Sequence, residues 1–179
     1  MLVTGGCRSG KSAYAERAAK HFSDQCLYIA TAEIHDEEML ERVRKHQEAR
    51  GNGWRLHECR TVDAIHLWQR LPALAQQGEA LLFDCLSLWT ASCMQLNCSL
   101  ALFEEHCARL LAALRALHLP VVIVSSEVGM GVVPPSREGR LFRDMAGLSS
   151  QMAAAEADSV VFMVSGIPLA IKGELPCVK

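Results

Sequence analysis

The chain begins with MLVTGGCRSGKSAYAE (residues 1–16), and Gly5 to Ser12 reads G-x-x-x-x-G-K-S. This spacing is the Walker A pattern of a phosphate-binding loop. Glycine lets backbone N–H groups turn toward an anion without a clash from a Cβ atom, and the start of the following helix supplies further N–H donors. We expect Lys11 to reach the outer phosphates of a nucleotide and the Ser12 hydroxyl to coordinate Mg²⁺.

A phosphate-binding loop of this kind needs a strand before it and a helix after it. Residues 2–4 (LVT) can form a short strand, and residues 12–20 (SAYAERAAK) are rich in helix formers. The alternative is a glycine turn that precedes an ordinary helix. Because both flanking segments fit, the sequence favours the phosphate-binding loop.

Length and composition indicate a single domain over residues 1–179, with half of the residues hydrophobic and a net charge of −2. A chain this close to neutral lacks the basic surface expected for binding nucleic acid. No apolar run reaches transmembrane length, and a phosphate loop stands where a signal peptide would be. The eight cysteines include no C-x-x-C pair, so reduced thiols and a cytoplasmic location are expected.

Strand-like and helix-like segments alternate along the chain. Strands are expected in residues 26–32, at the start of 80–89, in 120–131 (a strand that runs into a glycine loop) and twice in 159–173. Helices are expected in 36–50, 64–77 (interrupted at Pro72), 100–118 and 137–157. Alternation with continuous apolar strands predicts an α/β fold of the P-loop NTPase type (RecA-like), with a mostly parallel sheet and helices on both faces.

In such a sheet, ligands gather at the carboxyl ends of the strands. The polar residues just beyond predicted strands are Thr31, Glu33, Asp84, Ser125, Ser126 and Glu127. Asp84 follows Leu81-Leu82-Phe83, as the Walker B carboxylate that holds Mg²⁺ does. The alternative for Asp84 is a helix cap or a turn carboxylate. Glu127 has the same placement and fits a turn cap equally well.

The helix predicted over residues 36–50 carries Arg42, His46 and Arg50 at i, i+4 and i+8, so the three share one face. Two flanking cations should lower the pKa of the imidazole, and a neutral imidazole can attack phosphorus while arginines bind phosphates. A solvated charged face is the alternative, which spacing alone favours. His66 and His106 are expected at core or boundary positions of helices, and the other histidines support no metal site.

Longer stretches carry a resemblance to a known family. They are LVTGGCRSGKSAYAE, LYIATAEIHDEEMLERVRKHQEARGNGW, LLFDCLSLW, SSEVGMGVVP, RLFRDMAGLSSQMAAAEADSVVFMVSGIP and the ending around IK (residues 171–172). Nearly end to end, the chain resembles the bifunctional adenosylcobinamide kinases/adenosylcobinamide-phosphate guanylyltransferases of cobalamin synthesis. The most specific features are the Arg42–His46–Arg50 helix followed by Trp54, together with EVGMGVVP and FRD.

The resemblance implies two activities. A nucleoside triphosphate phosphorylates the hydroxyl of the aminopropanol arm of adenosylcobinamide, and GTP then guanylylates the enzyme, which passes GMP to the phosphorylated corrinoid. His46 matches the histidine that carries GMP, so the nucleophile interpretation of His46 is preferred. Lys11 is the other implied catalytic residue. The implied nucleotide contacts are Gly5, Gly6, Cys7, Arg8, Ser9, Gly10, Lys11, Ser12, Thr31, Ala32, Glu33, Gln47, Glu48, Ala49, Arg50, Glu58 and Asp84.

The resemblance further implies Mg²⁺ at Ser12 and Asp84, with GTP and ATP as substrates and a corrinoid as acceptor. Known members of the family are trimers. That precedent, with the apolar surface of helices 64–77 and 100–118, predicts a homotrimer. The sequence departs from the family pattern at five positions, which are Gly51, Leu56, Ser126, Leu148 and Ser150. These departures spare the phosphate loop and the proposed nucleophile.

Two other functions are compatible with the phosphate loop. A different small-molecule kinase on this fold would use Lys11 and Asp84 without any need for His46. A non-catalytic nucleotide-binding module would need neither activity, although the sequence has no N-K-x-D motif for reading guanine. Trapping a guanylyl-enzyme would separate the bifunctional enzyme from both.

Overall fold

A computed structural model describes residues 1–32, 37, 41 and 51–177. Its strands are β1 (Leu2–Gly5), β2 (Cys26–Ala30), β3 (Trp54–Glu58), β4 (Ala80–Asp84), β5 (Val121–Ser126), β6 (Val160–Val164) and β7 (Ile167–Lys172). They form one sheet in the order β3-β2-β4-β5-β1-β6-β7. Every neighbouring pair is parallel except β6–β7, which is antiparallel. The predicted mostly parallel sheet is therefore confirmed.

Helices cover both faces of this sheet. They are α1 (Lys11–Phe22), a 3₁₀ helix (Thr61–His66), α2 (Leu67–Leu74), α3 (Leu86–Gln95), α4 (Leu100–Ala116) and α5 (Arg137–Glu156). The alanine-rich side of α1 packs on one face against Val3, Tyr28 and Leu82. The other four α-helices bury the opposite strand side chains, among them Leu81 and Phe83. Strands buried on both faces explain the continuous apolar runs of the sequence.

Two elements of the fold were absent from the sequence-based prediction. Strand β3 forms the edge of the sheet and is only half-buried, with polar Arg55 and His57 among its residues. Helix α3 follows β4 after a single residue, and the apolar run through both elements hides the change from strand to helix. Both omissions arise because local pattern does not separate an edge strand from a loop, or a buried helix from a strand.

The segment 64–77 was predicted as one helix interrupted at Pro72, and that prediction is wrong in detail. Helix α2 continues through Pro72 and ends at Leu74, and a 3₁₀ helix precedes it. His66, expected at a core or boundary position, is exposed, whereas His106 is buried as expected. A 3₁₀ helix has three residues per turn, so the 3.6-residue stripe used for the prediction does not apply at His66.

The parallel strands all end at the same edge of the sheet, which we call the carboxyl edge. The chain also returns to the carboxyl edge at the β6–β7 turn, where Ser165 and Gly166 have φ of 51° and 82°. Such a turn matches the twist of a two-residue hairpin, in which glycine is preferred.

Within the described ranges, none of the helices combines the length and the apolar character that a bilayer span requires.

Candidate nucleotide-binding site

The predicted phosphate loop lies between β1 and α1, at the carboxyl edge. Gly10 caps α1 with φ of 89°, a conformation that favours glycine. The Ser9 N–H donates to the Gly6 carbonyl at 3.3 Å, and the Tyr14 N–H donates to the Gly10 carbonyl at 3.0 Å. The first turn of α1 contains no acidic residue, so its positive end meets the loop without a competing carboxylate.

The phosphate loop packs against the β6–β7 hairpin. A Cβ atom at Gly5 would lie 2.6 Å from the Met163 carbonyl oxygen and 2.7 Å from Ser9 Oγ, so only glycine fits there. The Gly166 N–H, at the tip of the hairpin, donates to the Ser9 carbonyl at 2.9 Å. The hairpin therefore supports the phosphate loop at Gly5 and Ser9.

Lys11 and Ser12 open helix α1 directly beside the loop. The Lys11 ammonium donates to the Gly6 carbonyl at 3.2 Å, which places the cation over the loop. Ser12 is half-buried. A cation beside a glycine-rich loop at a helix N-terminus is suited to binding the terminal phosphates of a nucleotide.

Asp84 ends the interior strand β4, where it pairs with Ala30 of β2 and Val124 of β5. The Tyr28 hydroxyl donates to Asp84 Oδ2 at 2.6 Å and orients the carboxylate. Tyr28 and Leu82 both pack in the core beneath α1. Since side chains alternate along a strand, Asp84 projects to the same face as Leu82, which is the face that carries the start of α1.

Thr31 and Cys85 position the backbone around Asp84. The buried Thr31 hydroxyl donates to the Cys85 carbonyl and accepts from the Cys85 N–H, each at 2.7 Å. Burial raises the pKa of the Cys85 thiol to about 11, with the Asp84 carboxylate adding to the rise and Lys11 opposing it. The thiol is therefore protonated at neutral pH. The Thr31 side chain, predicted as a nucleotide contact, bonds to protein backbone here.

A hydroxyl and a carboxylate are the oxygen ligands that Mg²⁺ takes, so Ser12 and Asp84 fit this ion. The described part of the chain contains no cluster of three or more His, Cys, Asp or Glu side chains suited to a metal.

The remaining predicted residues include two described glutamates, Glu58 and Glu127, and seven residues outside the described ranges. Glu58 is exposed at the end of the edge strand β3, where it pairs with Ala30. Glu127 caps a turn, because its Oε1 accepts from the Gly129 N–H at 2.6 Å. The predictions that lie outside the described residues are Glu33, Arg42, His46, Gln47, Glu48, Ala49 and Arg50.

Two residues that depart from the family pattern, Ser150 and Leu148, make contacts inside the fold. Ser150 Oγ lies 2.9 Å from Ser125 Oγ, so these hydroxyls share a hydrogen bond. Leu148 is partly buried and packs against the core of α3, α4 and α5. Ser125, predicted as a candidate at the carboxyl edge, is fully buried. Its hydroxyl therefore links β5 to α5.

A phosphate loop between β1 and α1, with a carboxylate at the end of β4, defines a nucleotide-binding protein of the P-loop class. A family model described as cobinamide kinase / cobinamide phosphate guanyltransferase matches residues 1–171, and the chain belongs to this family. The family resemblance seen in the sequence is thereby confirmed.

Curated relatives match over almost their whole length. The chain is 37% identical to the bifunctional adenosylcobalamin biosynthesis protein CobU of Salmonella typhimurium, over 96% of this chain and 99% of the relative. It is 38% identical to CobP of Pseudomonas aeruginosa, over 97% of each chain. A solved KaiC-like protein of Pyrococcus horikoshii shares the fold, with a TM-score of 0.51 at 13% identity, over 90% of this chain and 68% of that one.

Proposed function

We propose that this protein phosphorylates adenosylcobinamide and then transfers GMP from GTP to adenosylcobinamide phosphate, as a single 179-residue domain. The observation that supports the proposal most strongly is the family match over residues 1–171, with the phosphate loop in its required strand–loop–helix context. ATP or GTP serves the kinase step, and the acceptor is a corrinoid. Absence of phosphorylated corrinoid after incubation of the pure protein with ATP, GTP and adenosylcobinamide would contradict the proposal.

In the kinase step, the loop from Gly5 to Ser12 holds the triphosphate, and the Lys11 cation stabilises the negative charge of the transferred phosphoryl group. The oxygen of the corrinoid hydroxyl forms a bond to the γ-phosphorus and releases its proton to water, while the bond from that phosphorus to the departing nucleoside diphosphate breaks. Mg²⁺, held by Ser12 and Asp84, supplies charge neutralisation when it is bound. Tyr28 keeps the carboxylate turned toward the α1 face of the sheet.

In the guanylyl step, we assign the nucleophile to His46. An imidazole nitrogen forms a bond to the α-phosphorus of GTP, and the bond to pyrophosphate breaks. A phosphate oxygen of the corrinoid then attacks the same phosphorus and releases the histidine. The covalent route replaces a direct reaction between two polyanions, GTP and the phosphorylated corrinoid, with two simpler displacements. This assignment rests on the family resemblance and on the Arg42–His46–Arg50 spacing.

Replacement of Asp84 by Asn tests the metal ligand. The substitution keeps the shape of the side chain and removes its charge, so turnover should fall by about 10²-fold or more, with little change in thermal stability. The measurement is the rate of both steps against Mg²⁺ concentration. A matched control is Asp158→Asn, because Asp158 precedes β6 at the opposite end of the sheet. Unchanged Mg²⁺ dependence in Asp84→Asn would make Asp84 a structural carboxylate.

Assembly as a cytoplasmic homotrimer is a further part of the proposal. Most of the apolar stripe of α4 is buried within the chain, so this helix offers less apolar surface for assembly than the sequence suggested. Exposed apolar residues instead lie on the β6–β7 hairpin, namely Val164, Ile167, Leu169 and Ile171. Light scattering at micromolar concentration should give three times the chain mass of 19.6 kDa. A monomer under those conditions would count against assembly.

A further inference from the structure

The loop between β5 and α5 displays a group of apolar side chains that no role above accounts for. Met130, Val132 and Val133 are 80%, 95% and 58% exposed. We call residues 130–133 the apolar tip. A run of exposed apolar side chains on a soluble domain is unfavourable unless something covers it, so such a run commonly marks a binding surface.

The apolar tip is anchored on its amino-terminal side. The Glu127 N–H donates to the Gly5 carbonyl at 3.0 Å, which joins this loop directly to the phosphate loop. The Glu127 carboxylate accepts from the Gly129 N–H at 2.6 Å. A Cβ atom at residue 129 would lie 2.9 Å from that carboxylate oxygen, so glycine permits the capped turn.

The carboxyl-terminal side of the loop is anchored as well. Arg140 donates to the carbonyls of Pro134 and Pro135 at 3.2 and 2.7 Å. Ser136 Oγ accepts from the Gly139 N–H at 3.0 Å and caps α5. Consecutive prolines fix φ and restrict the residue before them. Because both ends are tied, the tip presents its side chains at a fixed place.

The loop that carries the apolar tip starts next to the phosphate loop. Strand β5 is the neighbour of β1 in the sheet, and the loop leaves β5 at the carboxyl edge. A phosphoryl acceptor must bring its hydroxyl to the outer end of the nucleotide, and the rest of the acceptor must then lie on the neighbouring surface. The apolar tip is a candidate for that surface, because its loop is joined to the end of β1 by the Glu127–Gly5 hydrogen bond.

We propose that the apolar tip binds the corrin macrocycle of the acceptor and holds the acceptor while its hydroxyl arm reaches the phosphate loop. This inference rests on the function proposed above, which makes the acceptor a corrinoid. A corrin ring is broad and carries methyl groups on its rim, so apolar side chains that project from a fixed loop complement it. Burial of Met130 and Val132 against the ring removes apolar surface from water and favours binding.

The test is the double variant Met130→Gln/Val132→Thr in the full-length protein. Both replacements keep approximate size and remove apolar surface. The KM for adenosylcobinamide should rise about tenfold or more, whereas the KM for the nucleotide should change less than about twofold. The matched control is Leu102→Gln, because Leu102 is also exposed and lies on α4, on the sheet face opposite α1. This control should leave both KM values unchanged.

A truncated acceptor sharpens the test. With 1-amino-2-propanol, which has the hydroxyl but no macrocycle, the wild type and the double variant should turn over at equal rates. Equal KM values for adenosylcobinamide in the two proteins would overturn the inference while the proposed function stood. A wild type that phosphorylates no corrinoid would defeat the proposed function itself. A double variant that loses subunits in light scattering would show that a second copy covers the tip, which also overturns the inference.

Discussion

Lys11→Ala is expected to abolish both activities. The described residues hold one Walker A loop, and the Lys11 ammonium lies over it, 3.2 Å from the Gly6 carbonyl oxygen. Loss of a group that stabilises transition-state charge costs about 10²–10³-fold in rate, and one loop serves both triphosphates here. The measurement is single-turnover phosphorylation and guanylylation by the same preparation.

The fold of the Lys11→Ala protein should be intact. Removing a cation from the positive end of α1 relieves an unfavourable interaction with the helix dipole, so the melting temperature should not fall. Arg17→Ala is the matched control, because Arg17 lies exposed on the same helix and contacts the Tyr14 ring. If the Lys11→Ala protein kept one activity in full, a second nucleotide site would have to exist.

His46→Asn is expected to separate the two activities. Guanylyl transfer should fall by several orders of magnitude, since the attacking imidazole is lost and proximity alone does not replace covalent catalysis. The kinase step should persist within severalfold, because it needs phosphate positioning, the metal and the corrinoid hydroxyl. Initial rates of both steps, measured with separate substrates, provide the comparison.

His118→Asn is the matched control for this variant. His118 is exposed and has φ of 54°, a conformation that asparagine adopts readily. Both activities should be unchanged in the control. A His46→Asn protein with full guanylyl transfer would move the nucleophile elsewhere, and one with no kinase activity would show that residue 46 serves the phosphate site in both steps.

Much of the fold followed from local sequence. The phosphate loop was predicted from its glycine spacing. The strands around residues 26–30, 80–84 and 121–126 and the long helix near 100–116 were predicted from their patterns of apolar residues. The placement of Asp84 at the carboxyl edge followed from the geometry of parallel strands. Helix and strand boundaries that depend on tertiary packing, such as those of β3 and α3, could not be predicted in this way.

The supports of the site depend on contacts between distant parts of the chain. Tyr28 reaches Asp84 across neighbouring strands, and the Thr31 hydroxyl bonds to Cys85 across the same pair. Register determines both contacts, and no local signal gives the register of parallel strands before the sheet is known. The only available sign of the Tyr28–Asp84 contact was their placement. Tyr28 lies two positions before the end of a buried strand, and Asp84 ends a strand beside it.

The apolar tip shows a different limit of sequence reasoning. Val132 and Val133 resemble the apolar residues of β5 that precede them, yet they are 95% and 58% exposed. Hydrogen bonds of Glu127 and Arg140 tie the two ends of the loop that carries these valines. A sequence pattern indicates which residues are apolar, but packing decides which of them remain available to a ligand.

The central claim is that GMP passes through a histidine of this chain. The most direct measurement is incubation of the wild-type protein with GTP labelled at the α-phosphate, followed by acid or base treatment of the denatured protein and mapping of the label. The account predicts one label per chain on the peptide that contains His46, lost in acid and retained in base, as for a phosphoramidate. Label on another peptide, or GMP transfer to the corrinoid without any labelled protein, would contradict it.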